Sequence, residues 1–447
     1  MSKSHHEEKK KVGMISLGCP KNQVDAEIML SKISEKYEIV DDAFEADAVI
    51  VNTCGFIADA KQEAIDTILE MTELKQEGSV KHVVVTGCLA ERYRDEIKKE
   101  IPEVDAVVGI GANKDIGDIL DRVFEEEEVS EYPPKKELPL EGERILTTPP
   151  YTAYIKISEG CSNCCTYCAI PSIRGPFRSR TIESIVEEAK TLAENGVKEL
   201  VVVAQDTTRY GEDLYGENRL CDLLKELCKI ESLVWIRLLY CYPDRITDEL
   251  LETIAENEKI LNYIDLPLQH CNGKILSAMN RTGDRESLTA LIKKIREKIP
   301  DVVVRTTFIT GFPGEGEEEF EDLAEFINEI EFERLGCFAY SAEEGTKAAE
   351  LPDQVDEDVK KHRAELIMQD QYGIVECKNN ECIGKTLDVL VEGYDGYTDS
   401  YYGRSYMDAP DVDASVSFTS KEELNDGDFV KVKIFDVSDY DLIGEAL

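Results

Sequence analysis

The sequence GCSNCCTYCAIP (160–171) follows directly on a short β-rich run, YIKIS (154–158). Within it, Cys161, Cys165 and Cys168 have the spacing C-x3-C-x2-C. Three thiolates on one short loop can each hold one iron of a cubane cluster and leave the fourth iron without a protein ligand. Such an open iron can chelate a small molecule, as an open zinc position holds a substrate. A zinc site or three buried thiols are the simpler alternatives.

The same loop contains a fourth cysteine, Cys164. Cys161, Cys164 and Cys168 would give the reversed spacing, C-x2-C-x3-C. The spacing alone therefore leaves the middle ligand open between Cys164 and Cys165.

Six strand-like runs surround this loop and continue beyond it, starting near residues 154, 199, 234, 263, 302 and 335. Each interval is long enough for a crossover helix. The pattern predicts an open, partial (β/α)6 barrel, two units short of the closed eight-stranded form. The cysteine loop then follows the first barrel strand, at the face where barrel active sites form.

The region before the loop also alternates strand and helix signals. Its β-rich runs are VGMISLG (12–18), DAVIVNT (47–53), HVVVTG (82–87) and AVVGIG (106–111), and helix-period segments at 58–74 and 90–99 separate them. This α/β pattern predicts a doubly wound parallel sheet.

A second set of cysteines belongs to this region. Cys19, Cys54 and Cys88 each follow or end one of the predicted strands. Parallel strands bring their carboxyl ends to one edge of the sheet, which is where open α/β sheets bind ligands. We therefore expect a second three-cysteine cluster, the alternative being three buried thiols that merely end strands.

The predicted domain boundaries follow from composition. The run EEEE (125–128) and two Pro-Pro pairs form a link, a helix-rich stretch covers about 353–378, and strands alternate with turns in the tail. The tail is typical of a small β-barrel of the oligonucleotide-binding type. We predict domains at 11–127, 147–378 and 379–447.

Charge and cysteine content restrict the partners and the compartment. The chain has 51 Lys plus Arg against 93 Asp plus Glu, a net charge of −42. From 381 to 447 there are 16 acidic and 5 basic residues, hence a net charge of −11. This field opposes nucleic-acid binding and suits a basic protein.

Fourteen cysteines are too sparse for a disulfide scaffold. The sequence has no apolar run of about 18 residues, so we predict no membrane span. The charged start, MSKSHHEEKKK, does not fit a signal peptide. We therefore expect a cytoplasmic protein.

These motifs resemble those of a known family. GCSNCCTYCAIP resembles the signature of radical S-adenosylmethionine (SAM) enzymes, and LGCPKNQVD, NTCGFI and TGCLAERY resemble the amino-terminal cluster domain of the methylthiotransferases. GFPGE (311–315) and a terminal barrel similar to a TRAM domain complete the resemblance, which covers nearly the whole chain. It implies that Cys165, and not Cys164, is the middle ligand; the family usually has Arg where Cys164 stands.

NTCGFI, LYCYPD, YIDLPLQH and GRSYMDAPDVD (403–413) resemble one branch of this family. That branch methylthiolates the β-carbon of an aspartate in protein twelve of the small ribosomal subunit. The other branch, which modifies an adenosine beside the tRNA anticodon, is the alternative; the acidic tail disfavours tRNA.

The resemblance implies two [4Fe-4S] clusters, on Cys19, Cys54 and Cys88 and on Cys161, Cys165 and Cys168. It also implies SAM as both radical source and methyl donor, with an electron donor and a sulfur donor that the sequence does not identify. Residues of the SAM site would be Gln205, Ile309 and Gly311. The basic cluster Arg174, Arg178 and Arg180 either contacts the cofactor or a substrate carboxylate or pairs with acidic residues.

Two hypotheses from other classes are an electron carrier with two clusters and a zinc-stabilised module that binds the ribosome. The electron carrier explains six cysteines but not the barrel or the vacant iron sites. The zinc module is distinguished by metal analysis and colour, because iron–sulfur clusters are brown and zinc is colourless. We treat Cys221, Cys228, Cys337, Cys377 and Cys382 as structural, allow Cys241 and Cys271 a role in a pocket, and expect His270 to pack in the core.

Overall fold

The computed structural model describes residues 9–447; residues 1–8, which form most of the charged start, lie outside the described part of the chain. The first sheet has six parallel strands in the order β2-β1-β3-β4-β5-β6. Its strands are β1 (Lys11–Ser16), β2 (Glu38–Val40), β3 (Ala48–Thr53), β4 (His82–Gly87), β5 (Ala106–Val108) and β6 (Val129–Glu131). The last of these lies past residue 127.

Helices cover both faces of this sheet. They are α1 (Pro20–Ser34), α2 (Ala58–Glu77), α3 (Cys88–Tyr93), α4 (Asp95–Glu100) and α5 (Ile116–Phe124). Separate buried apolar clusters lie on the two faces, because successive side chains of a strand point to opposite faces. The predicted doubly wound sheet is confirmed.

Some local predictions were wrong. The segment 90–99, predicted as one helix, is divided between α3 and α4 at Arg94, whose φ of 46° no α-helix accommodates. The run AVVGIG stays extended only to Val108 and then turns into a 3-10 helix. The three-residue strands β2 and β6 were missed because so short a run shows no alternation.

The second sheet is the predicted open barrel. Six parallel strands lie in the order β14-β13-β12-β11-β10-β7. They are β7 (Thr152–Lys156), β10 (Glu199–Val203), β11 (Trp235–Leu238), β12 (Ile260–Asp265), β13 (Val303–Thr310) and β14 (Arg334–Ala339); a short antiparallel pair, β8 (Ser158–Glu159) and β9 (Arg178–Ser179), follows β7.

The barrel helices pack on one face of this sheet and bury its largest apolar cluster. They are α7 (Ile182–Glu194), α9 (Leu220–Cys228), α10 (Asp248–Glu256), α11 (Gly273–Ala278), α12 (Arg285–Lys298) and α13 (Glu317–Ile330), whereas α6 (Ile170–Arg174) packs on α3 and α8 (Glu212–Tyr215) contacts β9. Helix α14 (Glu357–Asn380) then leads to the tail. Over residues 9–447, no helix combines the length and apolar character that a bilayer crossing requires.

The tail is a closed barrel of five strands, as expected. The strands are β15 (Thr386–Asp395), β16 (Ser400–Ser405), β17 (Val416–Thr419), β18 (Phe429–Ser438) and β19 (Asp441–Ala446), in the order β15-β16-β17-β19-β18. Antiparallel pairing dominates, and only β17 and β19 pair in parallel.

The terminal barrel packs against the face of the second sheet that the helices leave open. Trp235 on β11 meets Phe429 on β18 with ring centroids 4.7 Å apart. Beside them the buried carboxylate of Glu199 accepts hydrogen bonds from Arg237 at 2.9 Å and Arg404 at 2.6 Å. Buried charges are tolerated only when paired, so this contact fixes the barrel on the sheet.

The segment 403–413 supplies more of these pairs. Asp408 accepts a hydrogen bond of 2.6 Å from Arg334, and Asp413 accepts one of 2.6 Å from Tyr263 and one of 3.3 Å from Arg305. This motif therefore joins the terminal barrel to the inner side of the second sheet.

We predict that Glu199→Gln destabilises this contact, because it leaves the buried guanidinium of Arg237 without a counter-charge and Arg404 with Glu392 alone. The expected loss is about 3–5 kcal/mol in the free energy of unfolding. Urea unfolding followed by the fluorescence of Trp235, the single tryptophan of the chain, measures it. Glu194→Gln, at an exposed position at the end of α7, is the matched control. Equal midpoints for the two variants would contradict the prediction.

Candidate active site

The carboxyl ends of β1, β3 and β4 carry the first three cysteines. Cys19 is the N-cap of α1, Cys54 follows β3 and Cys88 begins α3. Gly18, at a φ of +87°, allows the first two loops to meet, since a Cβ there would lie 2.6 Å from the Cβ of Cys54. Because β1 lies between β2 and β3, the order reverses beside β1, where such sheets bind ligands.

The cysteine loop of the barrel follows β7 and β8. Cys161, Cys165 and Cys168 are partly buried, whereas Cys164 is exposed and has a φ of 55°. Asn280 holds the turn by donating a hydrogen bond of 3.1 Å to the carbonyl of Cys164.

The six predicted cysteine ligands line one cavity of ≈ 330 Å³. Its other lining residues include three cations, four tyrosine or phenylalanine rings and several amides, but no carboxylate from the described part of the chain. In a chain of net charge −42, this is a cationic, thiol-rich interior. The lining residues are Cys19, Lys21, Cys54, Phe56, Cys88, Cys161, Asn163, Cys165, Tyr167, Cys168, Ile170, Arg174, Gln205, Tyr240, Cys241, Tyr242, Pro267, Gln269, Arg281 and Thr307.

A buried ion cluster lies behind the first triad. Arg174, the last residue of α6, donates hydrogen bonds to Asp25 of α1 at 2.7 Å and to Glu159 at 3.0 Å. Lys156 bonds the same two carboxylates. All four side chains are at most 1% exposed. The cluster joins the first sheet to the barrel and places a guanidinium beside the thiols.

Burial and neighbouring charge act differently on the thiols. Burial raises the pKa of Cys88 and of Cys168 to about 12, and that of Cys161 to about 11. Burial also acts to raise the pKa of Cys19, but the nearby cations Lys21 and Arg174 lower it below its ordinary value. Metal ligation deprotonates thiols, so a bound metal would stabilise the thiolate forms of Cys88, Cys161 and Cys168, whose pKa values are raised.

The donor set fits iron–sulfur clusters. All six thiols are free, and within residues 9–447 no three His, Cys, Asp or Glu side chains converge closely enough for one metal ion. Ligands of a cubane each bind a different iron, so they need not converge as the ligands of a single tetrahedral zinc do. The guanidinium of Arg281 lies 3.9 Å from the sulfur of Cys165, where it would offset the charge of a ligating thiolate.

The predicted SAM contacts are divided between two places. Gln205 lines the cysteine cavity. Ile309 lines a neighbouring cavity of ≈ 500 Å³ that shares Phe56 and Tyr167 with the first. Gly311 lines neither cavity; it has a φ of +70° and its backbone N–H donates a hydrogen bond of 2.9 Å to Glu315.

The basic cluster is not one unit. Arg174 lines the cavity, whereas Arg180 pairs with Glu188 at 2.6 Å and Arg178 donates to the carbonyl of Lys136 at 2.7 Å. Pairing with acidic residues therefore accounts for Arg174 and Arg180.

Among the lining residues that sequence reasoning missed are Lys21, Tyr240, Tyr242 and Arg281. The hydroxyl of Tyr242 lies 3.9 Å from the sulfur of Cys165. The guanidinium carbon of Arg281 lies 4.3 Å from the ring centroid of Tyr242. The two tyrosines come from LYCYPD at the end of β11, so their place at a strand's carboxyl end was the available signal.

The remaining cysteines mostly pack in the apolar interior. Cys221 is part of the main core, and Cys228 and Cys337 pack against it; Cys382 is buried, Cys377 is exposed, and of Cys241 and Cys271 only the former lines the cavity. His270 is fully buried, and its Nδ1 accepts a hydrogen bond of 3.0 Å from the backbone N–H of Asn272, whereas its Nε2 lies 3.4 Å from a carboxylate oxygen of Glu315 without a hydrogen bond.

The open barrel, its cysteine loop and the closed tail together define a radical SAM protein. Residues 155–327 match the model described as the Radical SAM superfamily, residues 11–109 match "Uncharacterized protein family UPF0004", and residues 383–447 match the TRAM domain. A solved structure, the radical S-adenosylmethionine methyltransferase TsrM from Kitasatospora setae, is similar in fold at a TM-score of 0.56 and 14% identity, covering 85% of this chain and 80% of that one.

Several relatives are similar over nearly the whole chain. The ribosomal protein uS12 methylthiotransferase RimO of Clostridium botulinum is 50% identical over 438 residues, 98% of each chain. That of a Thermoanaerobacter species is 51% identical, covering 98% of this chain and 100% of its own. The chain belongs to the RimO family of radical SAM methylthiotransferases, and it is a transferase. Membership implies SAM and a [4Fe-4S] cluster as cofactors.

The ion cluster behind the site predicts a loss of stability in acid. Burial acts to raise the pKa of Glu159, but Arg174 and Lys156 lower it from 4.5 to about 2. A lowered carboxyl pKa stabilises the fold above the unfolded value, and this contribution disappears as the pH falls from about 4.5 to about 2.

Compared with wild type, Glu159→Gln should lose about 3 kcal/mol of unfolding free energy at pH 7, and the difference should shrink below pH 4.5. Urea unfolding by circular dichroism at pH 7, 4.5 and 3 measures this. The control is Glu187→Gln, on the exposed side of α7. A difference that does not change with pH would contradict the assignment.

Proposed function

We propose that this protein methylthiolates the β-carbon of an aspartate in protein twelve of the small ribosomal subunit. It would use two [4Fe-4S] clusters, with SAM as both radical source and methyl donor. The proposal rests on the family and on one structural observation, that both cysteine triads line a single cavity.

A shared cavity matters because the reaction replaces an unactivated C–H bond with a C–S bond. The cofactors would supply the radical that removes hydrogen and the methylated sulfur that replaces it, chemistry that side chains do not provide. Cys161, Cys165 and Cys168 would hold one cluster, and Cys19, Cys54 and Cys88 the other. One substrate carbon can then face both sites without leaving the protein.

The chain's own residues enclose this space. The rings of Phe56, Tyr167, Tyr240 and Tyr242 line the cavity together with Pro267, and such rings exclude water from a reactive intermediate. Gln205 faces the same space, where its amide would orient SAM. Ile309 and Gly311, at the end of β13, would support the adenine side.

The assignment of ligands predicts the iron content. Anaerobically reconstituted wild type should bind about eight iron atoms, and Cys54→Ala or Cys165→Ala about four, because each loses one cubane. Cys164→Ala is the matched control and should keep about eight, since Cys164 is exposed and outside the cavity. Loss of iron in Cys164→Ala with retention in Cys165→Ala would reverse the choice of middle ligand.

The surface charge supports a protein substrate. The tail has a net charge of −11, and complementary charge favours and steers a basic ribosomal protein. The same field would repel the phosphates of tRNA.

An anaerobic assay tests the substrate. Reconstituted protein, SAM, a reductant and sulfide are incubated with small ribosomal subunits or, separately, with bulk tRNA, and the products are analysed by mass spectrometry. We expect one methylthio group on one aspartate of protein twelve and unchanged tRNA. Modified tRNA with unmodified ribosomal protein would contradict the proposal, and 5′-deoxyadenosine without either product would leave only the radical chemistry supported.

A further inference from the structure

The cavity contains a buried lysine without a carboxylate partner. Lys21, in the first turn of α1, is 4% exposed. Its Nζ lies 3.3 Å from the ring centroid of Tyr240, and no carboxylate oxygen from residues 9–447 lies within the 4.0 Å of an ion pair.

The other two cations of the cavity are already engaged. Arg174 is bonded to Asp25 and Glu159. Arg281 donates a hydrogen bond of 2.7 Å to the carbonyl of Pro267 and stacks on Tyr242. A buried ammonium is costly unless it is paired, so Lys21 is the cation available to an anionic ligand.

We propose that Lys21 binds the side-chain carboxylate of the substrate aspartate, an inference that rests on the proposed function. Lys21 is two residues from Cys19 and lines the same cavity as both triads. In an aspartate the carboxylate carbon is bonded directly to the β-carbon. A carboxylate held on the ammonium therefore puts the reacting carbon beside the first triad, with the second triad on the same cavity.

Two other roles make different predictions. Lys21 could serve only to offset negative charge at Cys19, in which case its removal costs iron. It could instead bind the carboxylate of SAM, in which case its removal weakens SAM binding. Neither role would distinguish aspartate from asparagine in the substrate, whereas an ammonium that pairs with the substrate carboxylate must do so.

The test compares reconstituted wild type with Lys21→Met on small ribosomal subunits carrying aspartate or asparagine at the modified position. Wild type should bind the aspartate form about 10- to 100-fold more tightly, the value of one hydrogen bond between charged groups. In Lys21→Met the ratio should fall to about one, with iron content and the affinity for SAM unchanged. Lys32→Met, which removes an exposed charge from the same helix, should behave as wild type.

Several outcomes would overturn the inference. One is equal binding of both forms by wild type, a result that needs no variant to fold. The others are an unchanged ratio in Lys21→Met together with a loss of iron, and an unchanged ratio together with weaker binding of SAM. Failure of the proposed function is separate, because then wild type would modify no ribosomal aspartate at all.

Discussion

Four buried charges hold the two halves of the site together. Asp25 comes from the first sheet's helix α1, and Lys156, Glu159 and Arg174 come from the barrel. Removing any one of them would leave an uncompensated charge in the interior, at a cost of about 3–5 kcal/mol. The first sheet is therefore not free to slide across the barrel mouth, and the triads on its edge and on the barrel loop share one cavity.

The terminal barrel is fixed by the same kind of contact. Arg404 reaches Glu199, and Asp408 and Asp413 reach arginines of the second sheet. The segment 403–413 was recognised as a family motif, but its observed contacts are with the barrel. It holds the acidic tail in one orientation relative to the site, and an approaching basic protein would meet a fixed surface.

Charge is distributed in opposite senses outside and inside. The chain as a whole has an excess of 42 negative charges. The described residues that line the cavity include no carboxylate, and three of them are cations, Lys21, Arg174 and Arg281. The exterior suits a basic macromolecule, and the interior suits thiolates and small anions. One sequence-wide net charge could not reveal this separation, because it averages the two regions.

The sequence by itself determined the class of each sheet, both cysteine sets and the closed tail. Strand periodicity and the spacing of Cys161, Cys165 and Cys168 are local features of the sequence. Cys19, Cys54 and Cys88 are far apart in sequence, but each marks the end of a local strand pattern, and parallel strands bring those ends to one edge. Only the tertiary structure decided that the two triads share a cavity, that Cys165 lines it while Cys164 is exposed, and that Lys21, Tyr240, Tyr242 and Arg281 line it too. Those facts depend on pairings between residues more than a hundred positions apart, such as Asp25 with Lys156, which no local pattern records.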